Sequence, residues 1–245
     1  MVKEINKIKN AFNIKTAHIV LYDILCLVGF FLIITAWGNL IQNLFADFDF
    51  AVLSAAQPEQ LAGYASQIQT IAFGLIGYTL LMIILQIANY SFFQGKIWNH
   101  IFNSNLTKRY FWKFSLLNLI WIVAATLVSI LIYLLFNQTP MLAAVMYIIL
   151  TIIIVCLLVI NYIQFTQKNL VFKSIKNTFL MLNKINKFIK QIGVTAVVFI
   201  LLSFVSMIFN LLPQAVSMVV VSFLLLIYAA WARLYLAEAL KSVKV

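Results

Sequence analysis

The chain has 245 residues, 64% hydrophobic and 9% charged, and its 17 bases and 6 acids leave a net charge of +11. A soluble domain is about half apolar and a quarter charged, so this composition excludes an ordinary globular enzyme or binding module and points to an integral membrane protein. The basic excess does not suggest nucleic acid, because it is divided among four separate segments instead of one patch, and Lys and Arg also set membrane orientation and meet anionic lipid.

Lys3, Lys7, Lys9 and Lys15 precede the first apolar run, from about 18 to 45. That run is far longer than the apolar region of a cleavable signal and carries Asp23, so it is expected to stay as the first span. It ends in Trp37, Asn39, Gln42 and Asn43, residues suited to headgroup depth. An acidic stretch with Asp47, Asp49 and Glu59 follows. Gln57-Pro58-Glu59 then reads as a helix start, with Pro at the first position and an acid in the first turn. The second span is expected over 66–93, in a helix about 50 Å long that must tilt or project.

Residues 94–110 form a second basic segment, read as interfacial. Lys96, Lys108, Arg109 and Lys113 lie in or beside it, Ile97, Trp98, Ile101 and Phe102 make a short apolar face, and Asn103-Ser104-Asn105 breaks it. Two spans, 111–136 and 140–165, flank the turn Asn137-Gln138-Thr139-Pro140, where Pro140 can open the fourth helix. Spans at 192–211 and 213–237 complete the chain.

Between them, 168–190 holds Lys168, Lys173, Lys176, Lys184, Lys187 and Lys190 and no acid. Wound as one helix, these lysines fall within an arc of roughly 160°. Leu170, Val171, Ile175, Met181, Leu182, Ile185, Phe188 and Ile189 mostly take the other side. Such a helix is expected to lie on an anionic membrane surface, with the six lysines as lipid contacts.

All 17 bases fall in the N-terminal tail, the segment after Gln94, the 168–190 segment and the C-terminal end. The alternate loops hold none. The positive-inside rule then gives six spans of a cell membrane with both termini cytoplasmic. The expected fold is all-α: six transmembrane helices as three antiparallel hairpins in a single domain, with basic amphipathic helices at the cytoplasmic interface. Phe136-Asn137-x-x-Pro140 recurs as Phe209-Asn210-x-x-Pro213 at two outer turns, which fits either a repeated hairpin or convergent turn chemistry. The enrichment in Ile, Asn, Lys and Phe is that of an AT-rich genome and suggests a prokaryotic source.

Asp23 and Arg233 are the most informative pair of charges. The topology puts both near the cytoplasmic ends of their helices, at similar depth, where charges pair or face the bundle interior. A salt bridge closing the first helix onto the last is the preferred reading. An ion or proton pathway is the functional one, and Arg233 snorkelling beside Trp231 and Tyr235 is a third. Gln67, Gln69, Gln86, Asn89, Asn118, Asn161 and Gln164 read as interhelical hydrogen-bonding groups, or as the lining of a polar path if they share a cavity. Gly74-x-x-Gly77 and Ala229, Ala230 and Ala232 read as close-packing positions.

His18 and His100 are the only histidines, and Cys26 and Cys156 sit in apolar runs without metal-ligand or redox spacing. The sequence contains no HExxH, GxSxG or phosphate-loop motif. The close acids Asp47 and Asp49 read as solvated loop residues. No catalytic residue, metal site or cofactor is expected.

The run from Phe172-Lys173-Ser174-Ile175 to Leu182-Asn183-Lys184, ahead of a hairpin ending in Ala232-Arg233-Leu234-Tyr235, resembles the six-helix prokaryotic membrane domain found with glycerophosphodiester phosphodiesterases and its stand-alone relatives. Residues 94–114 look like the corresponding segment before the middle hairpin. The resemblance covers about half the chain. It carries no residue of the phosphodiesterase domain, so it implies a fold without an activity.

The function expected is therefore non-catalytic: a scaffold, lipid-organising or partner-binding membrane protein. Its partners would be anionic lipid headgroups on the cytoplasmic side, and a protein partner or a second copy. The alternative is a small-solute transporter or permease subunit, which would need a polar cavity faced by Asp23, Gln86, Asn89 or Arg233.

Overall fold

The computed structural model describes residues 14–46, 58–182, 189–209 and 213–241, and every regular element among them is an α-helix. The helices are α1 (Ile14–Phe45), α2 (Pro58–Phe102), α3 (Lys108–Phe136), α4 (Pro140–Lys168), α5 (Val171–Leu182), α6 (Ile189–Phe209) and α7 (Gln214–Lys241). All but α5 are long and apolar enough to cross a membrane, with mean hydropathy between 2.2 and 3.2 over their most apolar stretches. Among the described residues the chain is thus all-helical, with six candidate spans, as a multi-pass membrane protein requires. The N-terminal bases Lys3, Lys7 and Lys9, the acids Asp47 and Asp49, Lys184 and Lys187, the turn residue Asn210, and Lys244 lie outside the described residues.

Local chemistry sets the helix ends. Thr107 caps α3: its backbone is extended, and its hydroxyl oxygen accepts from the Tyr110 N–H at 3.1 Å. Pro140 opens α4, where its missing N–H leaves no bond unmade. Two asparagines stop helices from the left-handed region, Asn103 with φ 54° after α2 and Asn169 with φ 51° after α4. Asparagine tolerates that conformation better than other side chains. The Asn169 N–H donates to the Phe165 carbonyl at 2.6 Å, and the Ser104 N–H to the Asn99 carbonyl at 2.8 Å.

Two sequence expectations change here. The second helix does not give way to a separate interfacial segment at 94. It runs unbroken to Phe102, making 45 residues and about 68 Å. Nothing between Phe93 and Phe102 breaks a helix except Gly95, which one helical position tolerates. Nor is 168–190 one helix. Asn169 separates Lys168, the last residue of α4, from Lys173 and Lys176 on α5, and Lys190 falls in the first turn of α6.

The described chain forms two compact units, one of residues Leu25–Tyr90 and one of the residues up to Ile24 with those from Ser91 onward. In the first, the contacts of α1 and α2 run in opposite sequence order. Gly74 lies against Leu44, the Gln86 amide donates to the Phe30 carbonyl at 3.1 Å, and the Asn89 amide donates to the Cys26 carbonyl at 2.9 Å. In the second, α4 packs on α3, α5 and α7, α3 also on α5, and α6 on α7. Its core draws on the start of α1 (Ile19, Val20), the end of α2 (Ile97, Trp98, Ile101), the start of α3 (Tyr110, Phe114, Leu117), the end of α4 (Ile163, Phe165), α5 (Val171, Met181) and the end of α7 (Ala230, Ala237). The other ends of these helices are rich in exposed Leu, Ile and Phe, as lipid-facing helices are.

Candidate functional site

The buried core of the second unit gathers the helix ends that carry the bases, and the chemistry-bearing residues sit there with it. Asp23, on the first turns of α1, is almost fully buried. Arg233 on α7 donates through Nη1 to its Oδ2 at 2.6 Å, and Gln94 on α2 donates through Nε2 to its Oδ1 at 3.3 Å. The structure therefore brings the two charged residues together, with both carboxylate oxygens engaged. Trp231 and Tyr235 lie on the opposite side of α7 from Arg233, two residues away in each direction. They stack on each other with centroids 5.4 Å apart and pack with Val194 and Val198 of α6. They are not headgroup anchors for Arg233.

The amides divide between two roles. Gln86 and Asn89 are tied to α1 backbone carbonyls. Asn118 is the hub of a seam across three helices: its Nδ2 donates to Ser91 Oγ at 2.8 Å, and its Oδ1 accepts from the Tyr162 hydroxyl at 2.6 Å. Toward the basic end, about two turns from Asn118 on α3 and one turn from Tyr162 on α4, the Tyr110 and Thr166 hydroxyls pair at 2.9 Å. Gln164 donates to the Met181 sulfur at 3.0 Å. Asn161 differs. It is fully buried, and neither end of its amide has a hydrogen-bond partner among the described residues. The bonded amides Gln86, Asn89 and Asn118 bind helices together where hydrocarbon offers no other partner.

Several contributors were not singled out in the sequence. Ser91, Tyr162, Tyr110 and Thr166 read there as ordinary helix residues. The imidazoles of His18 and His100 face each other with centroids 5.2 Å apart, and Tyr22 lies edge-on to His100. Both histidines sit at the basic ends of their helices, so their depth was the available signal. No group of three or more potential metal ligands forms among the described residues.

The cations are held in specific ways. Lys15 Nζ donates to Asn103 Oδ1 at 2.8 Å. The Lys96 ammonium sits over the Tyr22 and Phe92 rings, 5.9 and 5.2 Å from their centroids. Lys113 Nζ donates to the Asn169 carbonyl at 2.8 Å, which ties α3 to the end of α4. Lys168, Lys173, Lys176 and Lys190 are exposed.

On α5 the buried side is unexpectedly polar. Ser174, Thr178 and Asn177 lie inward with Val171 and Met181, and the two hydroxyls donate to carbonyls of their own helix. Phe172, Phe179 and Leu180 are exposed on the side that carries Lys173 and Lys176.

Of the small residues, Gly74 meets Leu44 and Ala230 is fully buried, whereas Gly77 faces open space. A groove of about 450 Å³ between α3 and α4 is lined by Thr126, Ser129, Tyr133 and Tyr147 with Ile122, Ala125 and Ile130. It contains none of the ion pair or the α2 amides, and the Tyr147 hydroxyl donates to the Ser129 carbonyl at its edge. No family model matches the chain, and neither a curated protein nor a solved structure shows significant similarity to it.

Proposed function

We propose that this chain is a non-catalytic, six-span protein of the cell membrane, with both termini cytoplasmic, that organises anionic lipid or a protein partner at the inner leaflet. The observation that carries this reading is a coincidence of place. The packed core, the buried polar seam and the described bases from Lys15 to Arg233 share one end of the helices. A rigid, cation-rich platform at one leaflet suits recruitment better than chemistry. The positive-inside rule supplies the orientation.

Three antiparallel hairpins are part of the proposal. Supporting them, contacts across α1–α2 (Leu44 with Gly74, Cys26 with Asn89), α3–α4 (Ser129 with Tyr147, Tyr110 with Thr166) and α6–α7 (Thr195 with Tyr228) join residues near the mirrored positions of each pair. Short α5, with lysines among exposed Phe172, Phe179 and Leu180, has the composition of an interfacial helix. The resemblance to the membrane domain found with glycerophosphodiester phosphodiesterases accords with this architecture.

The test is energy transfer from tryptophan to dansyl-labelled lipid in reconstituted vesicles of phosphatidylcholine with a minor fraction of phosphatidylglycerol. Stronger transfer to the labelled anionic lipid is the expected result. Equal transfer to both labels would remove the lipid arm and leave partner recruitment. A transporter is the second reading, and the unpartnered buried amide of Asn161 is the observation in its favour. Protein-dependent release of an entrapped polar solute from the same vesicles would replace the first reading with it.

A further inference from the structure

The start of α1 meets the end of α2 through the only two histidines of the chain. The His18 and His100 rings lie with centroids 5.2 Å apart, and Tyr22 stands edge-on to His100 at 6.5 Å. Cations close the group on both sides. Lys15 Nζ donates to Asn103 Oδ1 at 2.8 Å, which ties the first turn of α1 to the residue that stops α2, and the Lys96 ammonium sits over the Tyr22 ring. His18 and Lys15 are the charged neighbours that act on His100. Asp23, just over a turn deeper on α1, has both oxygens engaged by Arg233 and Gln94. Lys108 and Arg109 at the start of α3, and Glu238 on α7, are exposed.

Neutral imidazoles suit this contact and charged ones do not. Two imidazolium rings at that distance repel each other, and Lys15 and Lys96 carry the same sign. His100 Nε2 is buried and has no hydrogen-bond partner among the described residues. An imidazolium donates through both nitrogens, so charging His100 places an N–H where no acceptor lies. A free imidazole takes up its proton at about pH 6.5.

We propose that the His18–His100 contact is a pH-sensitive clasp that holds the start of α1 on the end of α2 while both rings are neutral and releases it when both are charged. The closed form binds fewer protons than the open one, so acid favours opening. Ile19 and Val20 are buried in the core and Asp23 is held by Arg233 and Gln94, so the motion is confined to the first turn, 14–18, with Lys15 leaving Asn103. This goes beyond the function proposed above and does not depend on lipid. In the orientation proposed there, the clasp faces the cytoplasm and reads its acidity.

Spin-label distances in the full chain, in non-ionic detergent, test the clasp. The labels sit on Ala17→Cys and Asn105→Cys, both exposed positions, in a Cys26→Ala, Cys156→Ala background. Excluding one proton from the closed form shifts the open-to-closed ratio by about tenfold at pH 5.5, one unit below the free imidazole. A longer-distance population is expected to rise by about that factor between pH 8 and pH 5.5, and to disappear again on return to pH 8. His18→Phe with His100→Phe keeps two rings in contact without a charge, and is expected to stay closed at both pH values. Glu4→Gln removes an acid that lies outside the described residues, and is expected to leave the response unchanged.

A wild-type distance that ignores pH would overturn the clasp. So would a response that persists in the double phenylalanine variant, which assigns it to other groups. A double variant already open at pH 8 would show that the ring contact does not hold the helix ends. Loss of the response in Glu4→Gln would make the tail carboxylate the titrating partner in place of the histidine pair. Each of these outcomes leaves the lipid and partner readings standing.

Discussion

Arg233 reaches Asp23 across 210 positions of sequence, at 2.6 Å, and closes the last helix onto the first. The carboxylate is buried and the guanidinium largely so, with side-chain exposures of 7% and 21%. A buried ion pair adds little net stability, but removing one partner strands the other charge at about 3–5 kcal/mol. Asp23→Asn and Arg233→Gln are each expected to lower stability strongly in detergent unfolding titrations. The double variant should lose less than the sum, by about 1–3 kcal/mol. Additive losses would show that the two charges do not act as a pair.

Asn118 and Asn161 are both buried amides, yet they should respond in opposite directions. Asn118→Leu leaves the Ser91 and Tyr162 hydroxyls without their partner and is expected to cost about 1–3 kcal/mol. Tyr162→Phe should cost about 1 kcal/mol for the same seam. Among the described residues Asn161 has no partner to strand, so Asn161→Leu removes an unsatisfied polar group and should raise the unfolding midpoint. A loss of stability on Asn161→Leu, with solute release abolished in vesicles, would favour the transport reading.

The spans were legible because each is a long apolar run with bases beyond one end and none beyond the other, a signal that survives without any tertiary information. The depth of Asp23 and Arg233 followed from the same topology. The faces of the helices did not. Ile97, Trp98 and Ile101 form an apolar stripe that looks alike whether it meets lipid or protein, and here it enters the core. On α5 the burial of Ser174 and Thr178 is hidden because both hydroxyls are satisfied by their own helix. The stop at Asn169 was available in principle, since asparagine is the side chain most at home in a left-handed cap. An even spread of lysines across it suggested a continuous helix instead.

Gly29 and Gly77 offer a signed comparison within one unit. A Cβ on Gly29 would collide with the Asn89 amide that donates to Cys26, whereas one on Gly77 would meet nothing within 4 Å. In a helix, alanine is otherwise better than glycine by roughly 0.5–1 kcal/mol. Gly77→Ala should therefore stabilise by about that amount. Gly29→Ala should destabilise, because Asn89 must give up its bond to Cys26. Detergent unfolding of the two variants beside wild type checks the sign, and a gain at Gly29 would mean that Asn89 repacks without loss.

Asn169 sets where α4 ends and how α5 leaves it, so its substitution tests the separation of the two helices. With φ 51° and ψ 38°, it holds a conformation that costs most side chains roughly 1–2 kcal/mol. Asn169→Gly is expected to be neutral or slightly stabilising. Asn169→Ala should destabilise by about 1 kcal/mol and favour joining α4 to α5. Spin labels at Gln167 and Leu180, both exposed, report the geometry directly. Were the two helices to fuse, these labels would stand about 20 Å apart along one axis. An unchanged label distance with unchanged stability in Asn169→Ala would show that the Lys113 bond to the Asn169 carbonyl, which the substitution keeps, holds the corner by itself. Loss of the corner in Asn169→Ala alone would assign it to the asparagine.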